Sequence, residues 1–189
     1  MVHVGHEKGI IMKDKLRNYL KKSNLDALLI TRADSFLGEH YPPESQQLKE
    51  VTGFSGSAGL AIITADKAVL FVDSRYTEQA KIQSDWDVFE VPTQTTPSDW
   101  ILKNLDGKRI GYNAWKHSVT WVHLMETKKI QLREVSVQDW NRLFPIKETH
   151  LKPSFDYDLR YCGETTESKI RKIVSALKEK VQNGEYEGM

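Results

Sequence analysis

The stretch VTGFSGSAGLAIITADKAVLFVD, residues 51–73, decides how the chain folds. Within it, AGLAIIT and AVLFVD are apolar runs separated by Ala65-Asp66-Lys67, which has the length and polarity of a hairpin turn. Both arms are apolar on successive residues, so each is expected to be buried on both faces of a sheet. Leu28, Ile30, Ile62, Leu70 and Val72 form the expected core. The glycine-rich segment ahead of the first arm, Gly53 to Gly59, reads as a tight entry into that strand. Its glycines supply positive φ or a close backbone approach.

On the amino-terminal side, MKDKLRNYLKKSNLDALLIT places Leu16, Tyr19 and Leu20 at helical spacing, then Asn24 as a stop, then a strand over 25–31. Residues 32–50 are polar and carry Pro42-Pro43, which predicts a long loop ending in a short helix over about 44–50. On the carboxyl-terminal side, SRYTEQAKIQ is helix-like and WDVFEVP strand-like. TPSDWILKNL opens with a capping threonine and Pro97 at the first helical position. KRIGYN is a strand, SVTWVHLMETKK a helix with Val119, Val122, Leu124 and Met125 mostly to one side, and IQLREV a strand. This alternation around one hairpin predicts an α/β domain built on a mixed sheet covered by helices.

The expected organisation is a flexible extension over 1–11, a domain over 12–145, a linker over 146–161, and the start of a second domain over 162–189. The last part rests on GETTESKIRKIVSALKEK, where Ile170, Ile173, Val174 and Leu177 share one helical face. Such a face needs a partner, so the chain is expected to stop as a second domain begins.

Lys and Arg total 27 against 26 Asp and Glu, a formal charge of +1, which argues against a nucleic-acid or membrane-surface protein. The apolar stretch 58–72 is interrupted by Asp66 and Lys67 and is not a membrane span. The single cysteine, Cys162, has no internal disulfide partner, and a reducing, cytoplasmic setting fits.

Three catalytic readings of the glycine loop fail on spacing. A nucleophile elbow needs glycine two places before and two after the serine; Ser55 and Ser57 each have only one of the two. A P-loop needs Lys-Ser/Thr opening a helix, and a dinucleotide loop needs Gly-x-Gly-x-x-Gly after a strand. The six histidines form no His-Glu-x-x-His pattern, and His117 and His123 fall on different helical faces. Asp73, Arg75 and Tyr76 form the more suggestive cluster, at a strand end where α/β domains place functional groups. The alternative is that Asp73 caps the following helix and Arg75 pairs locally. The five tryptophans are expected in the core.

The run LDALLITRADSFLGEHYPPESQQLKEVTGFSGSAGLAIITADKAVLFVDSRYTEQA resembles the amino-terminal domain of Xaa-Pro aminopeptidases (aminopeptidase P), in the creatinase and prolidase superfamily. The carriers are Gly-Phe-Ser-Gly-Ser-Ala-Gly and the following Asp-x-Arg-Tyr, with similarity continuing through TPSDWILKNLDGKRIGYN and more weakly to DWNRLFP, so that it covers about 16–145. YCGETTESKIRKIVSALK resembles the first helix of the next domain. Ser74 stands where the family usually has glycine. The resemblance implies a ribonuclease-H-like fold without its own metal site. It places catalysis in a carboxyl-terminal pita-bread domain, where two Asp, one His and two Glu hold two divalent ions, typically manganese. It also implies a homodimer acting on peptides with proline second, and it supplies no catalytic residue to this chain. Gly53, Phe54, Ser55, Gly56, Ser57, Asp73, Arg75 and Tyr76 are then expected at a cleft or interface. The competing readings are a stand-alone binding module for a small ligand or protein, and a serine hydrolase using Ser55 or Ser57.

Overall fold

The computed structural model describes residues 3–42, 45–145 and 153–183. The chain divides into two compact units, residues 1–148 and 149–189.

In the first unit, α1 (His3–Ser23) ends where Asn24 turns left-handed at φ 57°, and β1 (Ala27–Thr31) follows. After α2 (Gln47–Thr52) come β2 (Leu60–Thr64) and β3 (Ala68–Asp73), antiparallel and joined through residues 65–67. The turn is held by Thr64, whose amide donates to the Lys67 carbonyl at 2.9 Å and whose hydroxyl accepts from the Lys67 amide at 2.8 Å. A 3-10 turn over Ser74–Tyr76 leads into α3 (Thr77–Gln83), β4 (Asp87–Val91), α4 (Pro97–Asn104), β5 (Arg109–Tyr112), α5 (Val119–Thr127), β6 (Gln131–Glu134) and α6 (Val137–Leu143). The helix starts follow their capping side chains. Thr96, Ser118 and Ser136 each accept a backbone N–H three residues on, and Pro97 takes the first turn of α4.

The sheet order is β4-β3-β2-β1-β5-β6. β2 runs antiparallel to both neighbours, and every other pairing is parallel. This is the expected mixed sheet with a ribonuclease-H-like reversed strand inside it. Side-chain alternation splits the core into two layers. Leu28, Ile30, Ile63, Leu70 and Val72 face Leu16 and Leu20 of α1, Leu48 and Val51 of α2, and Trp140 of α6. Leu29, Ile62, Val69 and Phe71 face Trp100 and Ile101 of α4 and Met125 of α5. All five expected core residues are at most 1% exposed. Ile62 belongs to the opposite layer from the other four.

Backbone is helical from His3, through the described part of the expected extension. Other expectations are corrected. The short helix lies at Gln47–Thr52, later than expected, and Glu44 falls outside the described residues. Of the four apolar residues assigned to one side of α5, only Met125 is buried; Val119 and Leu124 face solvent, because a helix over the outer strands β5 and β6 presents just one narrow contact. Trp86, Trp100 and Trp140 are in the core as expected, whereas Trp115 is 62% exposed on a 3-10 turn over Ala114–Lys116.

The second unit contains α7 (Leu159–Cys162), across the expected boundary between linker and second domain, and α8 (Thr166–Gln182), capped by Thr165 accepting from the Ser168 amide. Residues 146–152 of that linker lie outside the described residues. Ile170, Ile173, Val174 and Leu177 are between 42% and 59% exposed. Among the described residues no helix is long and apolar enough to cross a membrane.

Candidate functional site at the glycine loop

The end of α2 fixes where the loop begins. Gly53 is left-handed at φ 78°, and its amide closes the helix on the Lys49 carbonyl at 2.9 Å. A Cβ there would lie 2.5 Å from the Gln83 carbonyl, so glycine is needed both for backbone conformation and for close approach to the end of α3. Phe54 turns inward, 1% exposed, and meets the Tyr76 ring edge-on at 5.7 Å. Gly56 lies over that pair: a Cβ would stand 2.2 Å from Phe54 Cζ and 2.8 Å from Tyr76 Cδ1.

The two serines have separate partners. Ser55 donates its amide to Gln83 Oε1 at 2.9 Å, and its hydroxyl accepts from Gln79 Nε2 at 3.1 Å and Gln83 Nε2 at 3.0 Å. Ser57 Oγ shares a hydrogen bond with the Tyr76 hydroxyl at 2.6 Å. Among the described residues neither serine is bonded to a histidine or carboxylate, so they offer no general base to activate it. Hydrogen bonding to Ser57 and the adjacent Arg75 guanidinium hold the Tyr76 phenol below its ordinary range.

Asp73 ends β3 and accepts from the Arg75 amide at 3.0 Å, while its other oxygen meets Arg75 Nη2 at 2.7 Å. The Arg75 hydrogen bond holds the Asp73 carboxyl below the usual carboxylate range. Turn capping and local pairing, the plainer of the two readings, thus account for every hydrogen bond that Asp73 makes. Ser74 adopts the 3-10 turn without a positive φ, so glycine is not required at that place.

Arg32, Tyr41, Gln79 and Gln83 were not singled out from sequence as members of this site, yet the structure brings them to it. Arg32, one residue beyond β1, donates to the Ser57 carbonyl at 2.9 Å and to the Tyr41 hydroxyl at 2.5 Å, and its guanidinium lies over the Tyr41 ring at 4.2 Å. Its only sequence signal is a position at a strand's carboxyl end. β1 and β3 both run antiparallel to β2 and so end on the same side of the sheet, which puts Arg32 and Asp73 at the end where the Gly53–Gly59 loop enters β2.

Among the described residues the histidines do not converge. His117 packs against Trp121 at 4.3 Å and bonds the Asn113 carbonyl through Nδ1, and burial pushes its pKa down. His123 is exposed beside Glu126. His150 and the side chains of His3 and His6 lie outside the described residues. Among the described residues no group of three or more His, Cys, Asp or Glu side chains could hold a metal ion, so they do not fit a two-metal centre.

A family model described as the Creatinase/Prolidase N-terminal domain matches residues 13–143. Xaa-Pro aminopeptidase 1 of Dictyostelium discoideum is 31% identical over 129 residues, covering 66% of this chain and 20% of that protein. Xaa-Pro aminopeptidase 2 of Rattus norvegicus is 28% identical over 186 residues, covering 89% and 26%. The chain thus spans about a quarter of the length of these curated relatives. Among solved structures, the X-prolyl aminopeptidase of Caenorhabditis elegans, described as a cytosolic enzyme with a di-nuclear active site, superposes with a TM-score of 0.71 at 24% identity, over 91% of this chain and 31% of its own. The N-terminal domain of the cytoplasmic peptidase PepQ from Mycobacterium tuberculosis superposes with a TM-score of 0.52 at 25% identity, over 67% of this chain and 93% of that one.

Proposed function

The chain belongs to the creatinase/prolidase N-terminal domain family, and on that basis we propose that it is the non-catalytic amino-terminal domain of an Xaa-Pro aminopeptidase, shaping the substrate cleft and subunit contacts. One observation carries the reading: Ser55, Ser57, Asp73 and Arg75 are occupied by one another and by Tyr76, Gln79 and Gln83. That arrangement holds a surface in shape and offers no activated nucleophile.

In this proposal the two divalent ions, manganese by family expectation, are held by a carboxyl-terminal catalytic domain. They would polarise the scissile carbonyl and activate water there, and no ligand for them is assigned to this chain. The substrate is a peptide with proline in second place, the working form is a homodimer, and the setting is cytoplasmic. Arg32, Arg75 and Tyr76 present the loop edge to the catalytic domain or to a second subunit.

A serine-reactive fluorophosphonate separates this proposal from a hydrolase built on the loop. No labelling of Ser55 or Ser57 is expected, whereas stoichiometric labelling of either, abolished by its alanine variant, would overturn the scaffold reading.

A further inference from the structure

A second feature opens at the carboxyl ends of β1 and β5. A groove of about 500 Å³ is lined by Phe36, Asn113, Trp115, Lys116, Val137 and Trp140, among others. Lys116 is only 7% exposed. Its ammonium donates to the Ala33 carbonyl at 2.8 Å and to Gln47 Oε1 at 2.5 Å, both neutral acceptors. An ammonium has three protons, and no carboxylate among the described residues forms an ion pair with this one. Asp34 acts on it through space, while its own Oδ1 accepts from the Phe36 and Gly38 amides at 3.0 Å each. Lysine is almost never this buried without a charged partner, and burial pushes Lys116 down to about 8.

The rest of the groove is complementary to something both anionic and apolar. Asn113 is buried, and its Oδ1 is fixed by the Trp115 amide at 3.0 Å, which leaves its Nδ2 as a donor. Phe36 and Trp115 are 91% and 62% exposed, large apolar surfaces left in water on the same groove. Pockets that combine apolar walls with a few fixed polar groups are the usual form of a small-molecule site.

We propose that this groove binds a carboxylate carried on an aromatic or branched apolar body, the carboxylate seated on Lys116 and Asn113 and the body lying against Phe36 and Trp115. The carboxylate supplies the charge that the ammonium lacks, and ionised hydrogen bonds are about twice as strong as neutral ones. The source is either a small free acid or the carboxyl terminus of a peptide with an apolar last residue. The site does not depend on the peptidase reading, since it shares no residue with the glycine loop.

The test uses the 189-residue chain, isotope-labelled, with shifts read at the Asn113 side chain and the Trp115 indole N–H. The probes are 3-phenylpropionate, its uncharged amide, the peptide Gly-Gly-Phe and its carboxyl-terminal amide. Both acids should saturate with shifts at these two groups, each at least about tenfold tighter than its amide. The tighter of the two identifies the source. Lys116→Gln should erase the preference for acid over amide, and Trp115→Ala, a change at an exposed residue, should weaken both forms severalfold. Equal titration by acid and amide in the wild type, absence of shifts at Asn113 and Trp115, or undiminished binding by Trp115→Ala overturns the proposal whether or not Lys116→Gln folds.

Discussion

Replacing Gly53 by alanine tests the loop's construction most sharply. The left-handed backbone at φ 78° costs a non-glycine residue about 1–2 kcal/mol. The new methyl would also lie 2.5 Å from the Gln83 carbonyl, a backbone atom at the end of α3 that cannot swing aside. Forced overpacking of this kind adds about 1–3 kcal/mol, for a total of about 2–5 kcal/mol. Gly107→Ala is the matched control. Gly107 is also left-handed, at φ 68°, but a Cβ there meets nothing within 4 Å, so only the backbone cost of about 1–2 kcal/mol applies. Urea unfolding followed by tryptophan fluorescence reports the first unit alone, because all five tryptophans lie between positions 86 and 140. Gly53→Ala should lose at least about 1 kcal/mol more than Gly107→Ala at an unchanged denaturant slope, and should shift the Ser55 amide that Gln83 holds. Equal losses for the two variants would show that the close approach to α3 does not exist.

Ile62 is fully buried, paired in register with Leu29 and Val69, so Ile62→Asp places an unpartnered carboxylate in the core at a cost of several kcal/mol and should unfold the first unit; a wild-type melt by circular dichroism would remove β2 from the core. The Tyr76 phenol should ionise below ordinary tyrosine in a carbon-detected NMR titration, and Ser57→Ala should move it upward; no movement would mean that the Ser57 bond does not form in solution. Lys116 releases its proton at about 8 when folded, against 10.5 ordinarily, so between those values the unfolded chain holds a proton the folded chain has lost. Stability therefore rises with pH across that window, the buried ammonium being fully charged below it. Urea midpoints at pH 7.5 and 9.5 should show this rise in the wild type but not in Lys116→Met, and parallel pH slopes would contradict it.

The hairpin was legible because its signals are local: two apolar runs and a three-residue polar turn between them. The helix start at Thr96 was legible for the same reason, the cap lying three residues from the amide it binds. α6 escaped notice because its seven residues give the apolar period only Val137, Trp140 and Leu143 to show itself, and Val137 is exposed. The glycine string pointed to the right loop, yet the residues that hold it did not declare themselves. Gln79 and Gln83 reach Ser55 from 24 and 28 positions away, and Arg32 reaches Ser57 from 25, and such contacts leave no periodic mark. Lys116 was invisible for a different reason, since composition and pattern both assign lysine to the surface. The exposed Trp115 beside it reversed the ordinary expectation in the other direction.

The central claim is that this domain supports Xaa-Pro cleavage without performing it. Its most direct measurement is metal-dependent hydrolysis of an Arg-Pro-Pro peptide by three purified proteins: residues 1–189 alone, the Caenorhabditis elegans enzyme stripped of its matching segment, and that stripped enzyme with residues 1–189 grafted in place. With manganese added and folding and metal content verified, the account predicts turnover by the grafted protein and none by the other two. Turnover by residues 1–189 alone, after host peptidases are excluded, or a folded, metal-loaded graft no more active than the stripped enzyme, would contradict it.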